Sequence, residues 1–201
     1  ADAVLKLEHL SALAVGPGMG QSAAAKGLLK NALRTELPAV FDADALNLLA
    51  QEAIMRRALV RRRAPSVITP HPAEAARLLG RSTSHVQMDR IAAARELAAR
   101  LSCEVVLKGA GSVCASPDGS YRINTSGNPG LASAGQGDVL TGMVGALLAQ
   151  GHAAAPALHA AVYLHGAAAD DLVRSGTGPA GLTASEVILA ARSRINRRSL
   201  D

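Results

Sequence analysis

Aromatic side chains are almost absent: Phe41, Tyr121 and Tyr163 are the whole set in 201 residues, and there is no tryptophan. Proteins that hold single-stranded nucleic acid stack its bases on aromatic platforms. No zinc-finger spacing or basic recognition helix supplies another mode of nucleic-acid binding. Nucleic acid is therefore the weaker choice of partner. Cysteine is scarce too. Cys103 and Cys114 stand in no metal or redox spacing. Their apolar, strand-like surroundings read as reduced core thiols of a cytoplasmic protein. No signal peptide is recognisable, and no apolar run is long enough to span a bilayer. The most apolar stretch, near 139–149, is short and interrupted by Gly142 and Gly145, so it reads as a buried helix.

What is present is aliphatic. Hydrophobic residues make up 49% of the chain, which excludes a mostly disordered protein and leaves Ala, Val, Leu and Ile to build the core. The length suits one α/β domain better than two. A net charge of +5 suits anionic partners, nucleotides among them. The blocks Arg56-Arg57 and Arg61-Arg62-Arg63 read as a solvated helix end.

Along the chain, short apolar runs alternate with helical patterns. Strands are expected at 13–15, 39–42, 66–69 and 104–108, with helices over 22–36, 45–58, 72–79 and 86–101 between them. Asp44 would cap the second of these helices. Pro72 would open the third and Gly80 close it. After residue 104 the pattern changes to a meander, with strands at 112–116 and 121–124 turned by Gly109-Ala110-Gly111 and Pro117-Asp118-Gly119. Helices near 138–150, 156–174 and 184–198 follow, the last opened by the capping box Thr183-Ala184-Ser185-Glu186. The fold class is α/β: a doubly wound, mostly parallel sheet with helices on both faces and a small antiparallel meander. No repeat or linker divides residues 1–201, so the reading is a single domain.

In such sheets ligands sit beyond the carboxyl ends of the strands. The unusual residues gather there: Gly16 to Gly20, then Asp42 and Asp44 with Asn47, then His71, then Lys108 to Gly111. A Gly-rich loop from Ser126 reaches the helix expected at Asp138. Asn128-Pro129-Gly130 and Gly135-Gln136-Gly137 let the backbone approach a phosphate, since no Cβ intervenes. The helix would point free N–H groups and its positive end into the loop. Such donors stabilise a transferring phosphoryl group. Asp138 is placed to act as a base toward an attacking hydroxyl, or to serve as a plain N-cap. For a lone GxGD the cap reading would win. The string from Gly127 to Gly142 is far longer than a cap needs. None of His9, His85, His152, His159 or His165 shares a metal-ligand spacing with another.

That string, Gly127-Asn128-Pro129-Gly130-Leu131-Ala132-Ser133-Ala134-Gly135-Gln136-Gly137-Asp138, resembles the signature of the NAD(P)H-hydrate dehydratase family. These are carbohydrate-kinase-like enzymes of the ribokinase superfamily. Gly16-Pro17-Gly18-Met19-Gly20, Phe41-Asp42-Ala43-Asp44-Ala45-Leu46-Asn47, Thr69-Pro70-His71-Pro72 and Lys108-Gly109-Ala110-Gly111-Ser112 match the same family in the same order. The Thr-Pro-His-Pro segment separates it from sugar kinases.

The resemblance implies dehydration of the hydrates of NADH and NADPH. The hydroxyl is phosphorylated, with ADP as donor in bacterial members and ATP in eukaryotic ones, and phosphate then leaves. It implies Asp138 as base, and Gly18, His71 and Asp138 at the substrate. Lys108, Gly109, Ala110, Gly111, Ser112 and Gly137 would be at the nucleotide, and Gly135, Gln136 and Gly137 around the phosphoryl oxygens. Asp42, Asp44, Asn47 and Asn128 are further polar candidates. Magnesium would be carried mainly by the phosphates. Family domains normally open with a strand, a Gly-rich loop and a helix ahead of the Gly-Pro-Gly segment. Some are fused to an N-terminal epimerase domain, and the family tends to form homo-oligomers. The alternatives are a small-molecule kinase of the same fold, of hydroxyethylthiazole or pyridoxal type, and an inactive nucleotide-binding fragment.

Overall fold

A computed structural model describes residues 9–196. The last two residues of the helix expected to 198 lie outside them. Four short strands come first: β1 (Leu13–Val15), β2 (Ala39–Phe41), β3 (Ser66–Ile68) and β4 (Glu104–Leu107). They pair in parallel and in chain order. β5 (Val113–Ala115) and β6 (Tyr121–Ile123) continue the sheet as antiparallel neighbours of β4 and of each other. The expected meander is there, and the six strands run in sequence order across the sheet.

Because side chains alternate across a strand, the sheet divides its residues between two cores. Ala39, Phe41, Ile68, Val105, Leu107, Val113 and Ala115 face one side. There they meet α1 (Ala23–Ala32), α2 (Asp44–Gln51), α3 (Ala53–Val60), α4 (Pro72–Leu79) and α6 (Arg90–Leu101). Val40, Val67, Val106 and Cys114 face the other side, under α7 (Gln136–Ala149) and α8 (Ala154–Arg174). Both faces are covered, as expected, and the winding has a particular form. The three crossovers lie on one face, while the opposite layer comes from the consecutive helices that follow the meander. α9 (Ala184–Asn196) packs outside that layer, with Val187 and Ala191 against Ala168 and Ala169 of α8.

Two helices expected to be continuous are broken. The pattern over 45–58 splits at Glu52, whose backbone is extended (φ −113°, ψ 100°). Arg56 reaches back to the Leu49 and Ala50 carbonyls at 2.7 and 2.6 Å, satisfying the freed end of α2. The pattern over 86–101 splits at Asp89 between α5 (Thr83–Met88) and α6. The Asp89 carboxylate accepts from Ala92 N–H at 2.8 Å, a side-chain cap. Periodicity carried through both breaks because the apolar residues on either side face the same core. Pro72 at the first turn of α4, Gly80 in the left-handed conformation at its end, and the Thr183–Glu186 capping box all form as expected.

Both cysteines are core thiols. Cys103 and Cys114 are 3% and 2% exposed. Burial, reinforced by the nearby Glu104 carboxylate, raises both thiols and pushes Cys114 up to about 12. The reactive species is the thiolate. A thiol reagent at pH 8 should leave the native protein unmodified over a time in which the denatured chain titrates two thiols. Rapid native reaction of either would show that this core is open.

Candidate functional site

The parallel strands end at one edge of the sheet, and the loops beyond them interlock. Gly16 follows β1 with φ +131°; a Cβ there would lie 1.8 Å from the Asp42 carbonyl oxygen, so only glycine lets the first loop close on the second. Gly20 N–H then donates to the Asp44 carboxylate at 2.8 Å. Asp44 is thus not the expected helix cap. It is the first residue of α2, after Ala43 at the cap position, and its side chain ties two loops together. Ala43 itself is held at φ +49°, ψ −116°, a conformation L-residues seldom adopt. Gly18, also at positive φ, lies at this edge with open space where a Cβ would stand, and Asn47 lies in the first turn of α2.

Asp42, at the end of β2, is 1% exposed. One carboxylate oxygen accepts from Ala43 N–H at 2.8 Å and from the Lys108 ammonium at 2.9 Å. The other accepts from the Thr141 hydroxyl of α7 at 2.8 Å. The ends of β2 and β4 and the start of α7 therefore meet on one buried anion. A Cβ on Gly137 would lie 3.3 Å from the Lys108 nitrogen, so the cation sits against the first turn of α7.

That turn begins two residues before its expected start. Gly135, at φ +84°, occupies the cap position with no side-chain cap, and the first intrahelical bond is Val139 N–H to the Gly135 carbonyl at 3.1 Å. The N–H groups of Gln136, Gly137 and Asp138 precede it and are free to bind an anion. Asp138 is therefore not the cap: it is the third helical residue and exposed. A lysine at the positive end of a helix puts like charge on like. Asp42 offsets that cost, and the spot remains suited to a phosphoryl anion.

A cleft of about 470 Å³ opens beside it. The turn Lys108–Ser112 forms one wall, the Asn124–Pro129 loop another, and Gln136, Gly137, Leu140, Val162 and His165 the rest. Arg90 braces the turn from outside, donating to the carbonyls of Ala110 and Leu107. The second wall is fastened to α8. Asp170 accepts from Gly127 N–H at 2.8 Å and from the Asn128 amide at 3.0 Å, while Asn128 accepts from Gly130 N–H. Gly166 allows the contact: a Cβ there would fall 2.3 Å from the Ser126 hydroxyl. Asn128 thus shapes the wall, and Asp170, Gly166 and Arg90 are supports that sequence reasoning missed. Each lies far along the chain from what it supports, so no local pattern announced it.

The structure brings Lys108, Gly109, Ala110, Gly111, Ser112, Asn128, Gln136 and Gly137 into one cleft. Gly18, Asp42, Asp44, Asn47, His71 and Asp138 stand outside its lining, along the same sheet edge. His71 is the N-cap of α4. Its Nδ1 accepts from Ala73 N–H at 3.2 Å, and Nε2 lies 3.2 Å from the buried Glu74, which also accepts from His71 N–H. The ring remains partly exposed, so capping leaves a face available. His165 was given no role by its spacing, yet it is buried at the floor of the cleft, with Nε2 3.2 Å from Gln136 Oε1. A carbonyl oxygen only accepts, so Nε2 carries the hydrogen. The amide nitrogen of Gln136 donates to Ser133 at 3.3 Å.

Taken together, fold and site define a ribokinase-like α/β domain in which a helix start with free N–H groups adjoins a cleft. The comparisons agree. A Bacillus subtilis ADP/ATP-dependent NAD(P)H-hydrate dehydratase, co-crystallised with ATP and magnesium, superposes with TM-score 0.79 and 34% identity over 91% of this chain and 63% of its own. A ribokinase-like superfamily protein of Enterococcus faecalis gives TM-score 0.75 at 27% identity, over 92% of this chain and 62% of its own. The ADP-dependent (S)-NAD(P)H-hydrate dehydratase of Neisseria meningitidis is 48% identical over 98% of this chain and 67% of its own length. The bifunctional NAD(P)H-hydrate repair enzyme of Moorella thermoacetica is 45% identical over 84% of this chain and 32% of its own. The NAD(P)H-hydrate dehydratase family model matches residues 1–189. The chain belongs to the NAD(P)H-hydrate dehydratase family. It spans about two thirds of the dehydratases and about one third of the bifunctional enzymes it matches.

Burial, with a lesser contribution from Lys108, lowers His165 to about 4. Its folded value lies below the ordinary 6.5, so the unfolded chain takes up a proton first. The stability it confers is complete above pH 6.5 and is lost as pH falls toward 4. Between pH 7 and 5 the protein should lose about 2 kcal/mol of unfolding free energy through this residue. Denaturant titrations of wild type and His165→Gln at both pH values check it; equal pH slopes would refute it.

Proposed function

We propose that this domain dehydrates the hydrates of NADH and NADPH, using ADP or ATP to phosphorylate the hydroxyl that water addition leaves on the nicotinamide ring. The observation that carries the reading is the convergence of the Lys108 ammonium with the free N–H groups at the start of α7, one turn bearing the exposed Asp138. Family membership supplies the substrate class.

In this scheme Asp138 accepts the hydroxyl proton as the oxygen attacks the terminal phosphorus of the nucleotide. The bond to the nucleotide's bridging oxygen breaks, giving AMP from ADP or ADP from ATP. The N–H groups of Gln136 and Gly137, presented by the turn at Gly135, and Lys108 hold the phosphoryl oxygens, with Lys108 to Ser112 along the nucleotide. The ring nitrogen then expels phosphate with the C–O electrons, and loss of the neighbouring C–H proton restores the double bond. Hydroxide would leave poorly; phosphate leaves well. Gly18 and the exposed face of His71 lie on the substrate side. Asp44, through its bond to Gly20, and Asn47, in the first turn of α2, border that side, and Asn128 shapes the nucleotide wall. No cluster of three or more His, Cys, Asp or Glu side chains able to hold a metal is found among the described residues. The donor set therefore suits magnesium only as an ion carried by the nucleotide's phosphates, where it neutralises phosphate charge.

Residues 1–201 act as one domain in this reading. The length of the bifunctional relatives supports a whole protein with a further, epimerase, domain. Exposed Tyr121 and Ile123 on the sheet edge, with Ile188, Leu189 and Ile195 on α9, support self-association. No helix among the described residues is long and apolar enough to cross a membrane; the cytoplasmic location belongs to this proposal through its substrate. The rival small-molecule kinase rests on fold alone: a hydroxyethylthiazole kinase of Pyrococcus horikoshii superposes with TM-score 0.65 at 18% identity.

Incubation with NADH hydrate, magnesium and ADP or ATP should restore the absorbance of reduced nicotinamide and release one phosphate per NADH. A stable phosphorylated product without NADH would establish the kinase instead. Asp138→Asn should lower turnover by about 10²- to 10⁴-fold, since the amide cannot accept the proton. Unchanged turnover would remove Asp138 as the base.

A further inference from the structure

Asp42 is built for more than stability. Its carboxylate is 1% exposed, yet a cation and a hydroxyl reach it from across the sheet edge: Lys108 from the end of β4 at 2.9 Å and Thr141 from α7 at 2.8 Å. Lys108 retains 21% side-chain exposure, so the buried acid and the accessible cation differ in what they can touch. An ammonium on a flexible four-carbon stem would ordinarily turn into solvent, away from the like charge at a helix start. Here it is fixed where a Cβ on Gly137 would nearly touch it, and it lines the cleft. The anchoring is itself strained. Ala43 N–H donates to the same carboxylate at 2.8 Å, and Ala43 is the non-glycine residue held at φ +49°. Backbone strain of that kind persists where the surroundings enforce it, and it concentrates at working sites.

We infer that Asp42 is a positioning residue for phosphoryl transfer: it never meets the nucleotide, and it holds the Lys108 ammonium against the first turn of α7 so that cation and helix N–H groups meet the phosphoryl oxygens as one fixed set. This rests on the function proposed above. Asp42 also places a negative charge beside an anion site, so its removal does not weaken ground-state binding of the nucleotide. What it removes is the fixed placement of the charge where the transition state needs it. Thr141 fixes the carboxylate in turn, from the same helix whose start binds the phosphoryl group.

The test uses Asp42→Asn, Lys108→Met and the double variant, with hydrate turnover and calorimetric ADP affinity as readouts. Asp42→Asn should lower kcat about 10- to 100-fold while ADP affinity stays within about threefold of wild type. In the Lys108→Met background the same substitution should cost nothing further, because it acts through the lysine. A full additional loss there would overturn the inference, as would unchanged kcat in Asp42→Asn. Nitrogen-15 NMR supplies a readout that needs no turnover: a pinned ammonium exchanges slowly enough to give a Lys108 side-chain signal, which should be present in wild type and lost in Asp42→Asn. Persistence of that signal in Asp42→Asn would also overturn it. Should Asp42→Asn fail to fold, Thr141→Val keeps the ion pair, frees one carboxylate oxygen and should lower kcat by about threefold or more at unchanged ADP affinity; wild-type kcat there would count against the inference. Wild-type protein that binds ADP and shows the lysine signal but restores no NADH would defeat the proposed reaction and leave the pinning of Lys108 standing.

Discussion

The carboxylate of Asp42 joins three parts of the molecule at one point. β2 and β4 are separated in the sheet by β3, and α7 belongs to the opposite layer from the crossover helices. A single buried anion accepts hydrogen bonds from the end of β4, from α7 and from its own following residue. A buried charge costs several kcal/mol unless it is paired and hydrogen-bonded, so the three segments must arrive together or the charge is left exposed to the core. The start of α7 and the turn after β4, the segments proposed to meet the phosphoryl group and the nucleotide, are then fixed relative to one another before any ligand arrives. That is the condition electrostatic catalysis requires, because donors placed in advance do not have to reorganise as charge develops.

How the two layers form explains which features were legible in the sequence. The strands are three or four residues of nearly pure aliphatic sequence, bounded by Gly, Pro and Asp, so their places could be read directly. Alternation within them is invisible when both faces are buried: in Ala39-Val40-Phe41 every residue is fully covered. Nothing in such a run says which helix covers which face, and the arrangement of all three crossovers on one side emerged only in three dimensions. The broken helices failed for a related reason. Glu52 and Asp89 are ordinary polar residues in helical surroundings, and the apolar residues on either side of each break, Leu49 and Met55, Val86 and Ala93, pack into the same core, so tertiary context overrides the local pattern.

The two histidines show the same limit at the site. His71 stands out in sequence because prolines flank it, and in the structure those prolines serve a helix start that the imidazole caps. His165 stands out nowhere: it lies in a long Ala-rich helix and shares no spacing with a partner. Its importance comes from burial beneath the Gly-rich loop and from Gln136, 29 residues away along the chain. The glycines behaved differently. Gly16 and Gly135 could be read as turn residues, and both adopt conformations that other residues resist. Gly166 could not, since it sits inside a helix; the reason for it is the backbone of Ser126 pressed against it.

The scarcity of aromatics returns as a constraint on how a nucleotide can be held. The cleft is lined by Leu131, Leu140 and Val162, with peptide groups from the Gly-rich loops, and no Phe, Tyr or Trp contributes to it. Apart from the buried imidazole of His165, a base resting there meets aliphatic side chains and peptide groups, so little of the stacking term of about 1–3 kcal/mol per base seen on aromatic platforms is available. Recognition must then lean on the charged end, where Lys108 and the start of α7 converge. A site whose affinity is concentrated on terminal phosphoryl oxygens distinguishes nucleotides less by the base than by where the last phosphate falls. In the proposed reaction this makes the geometry fixed by Asp42, rather than the fit of the base, the feature that decides which phosphorus is attacked.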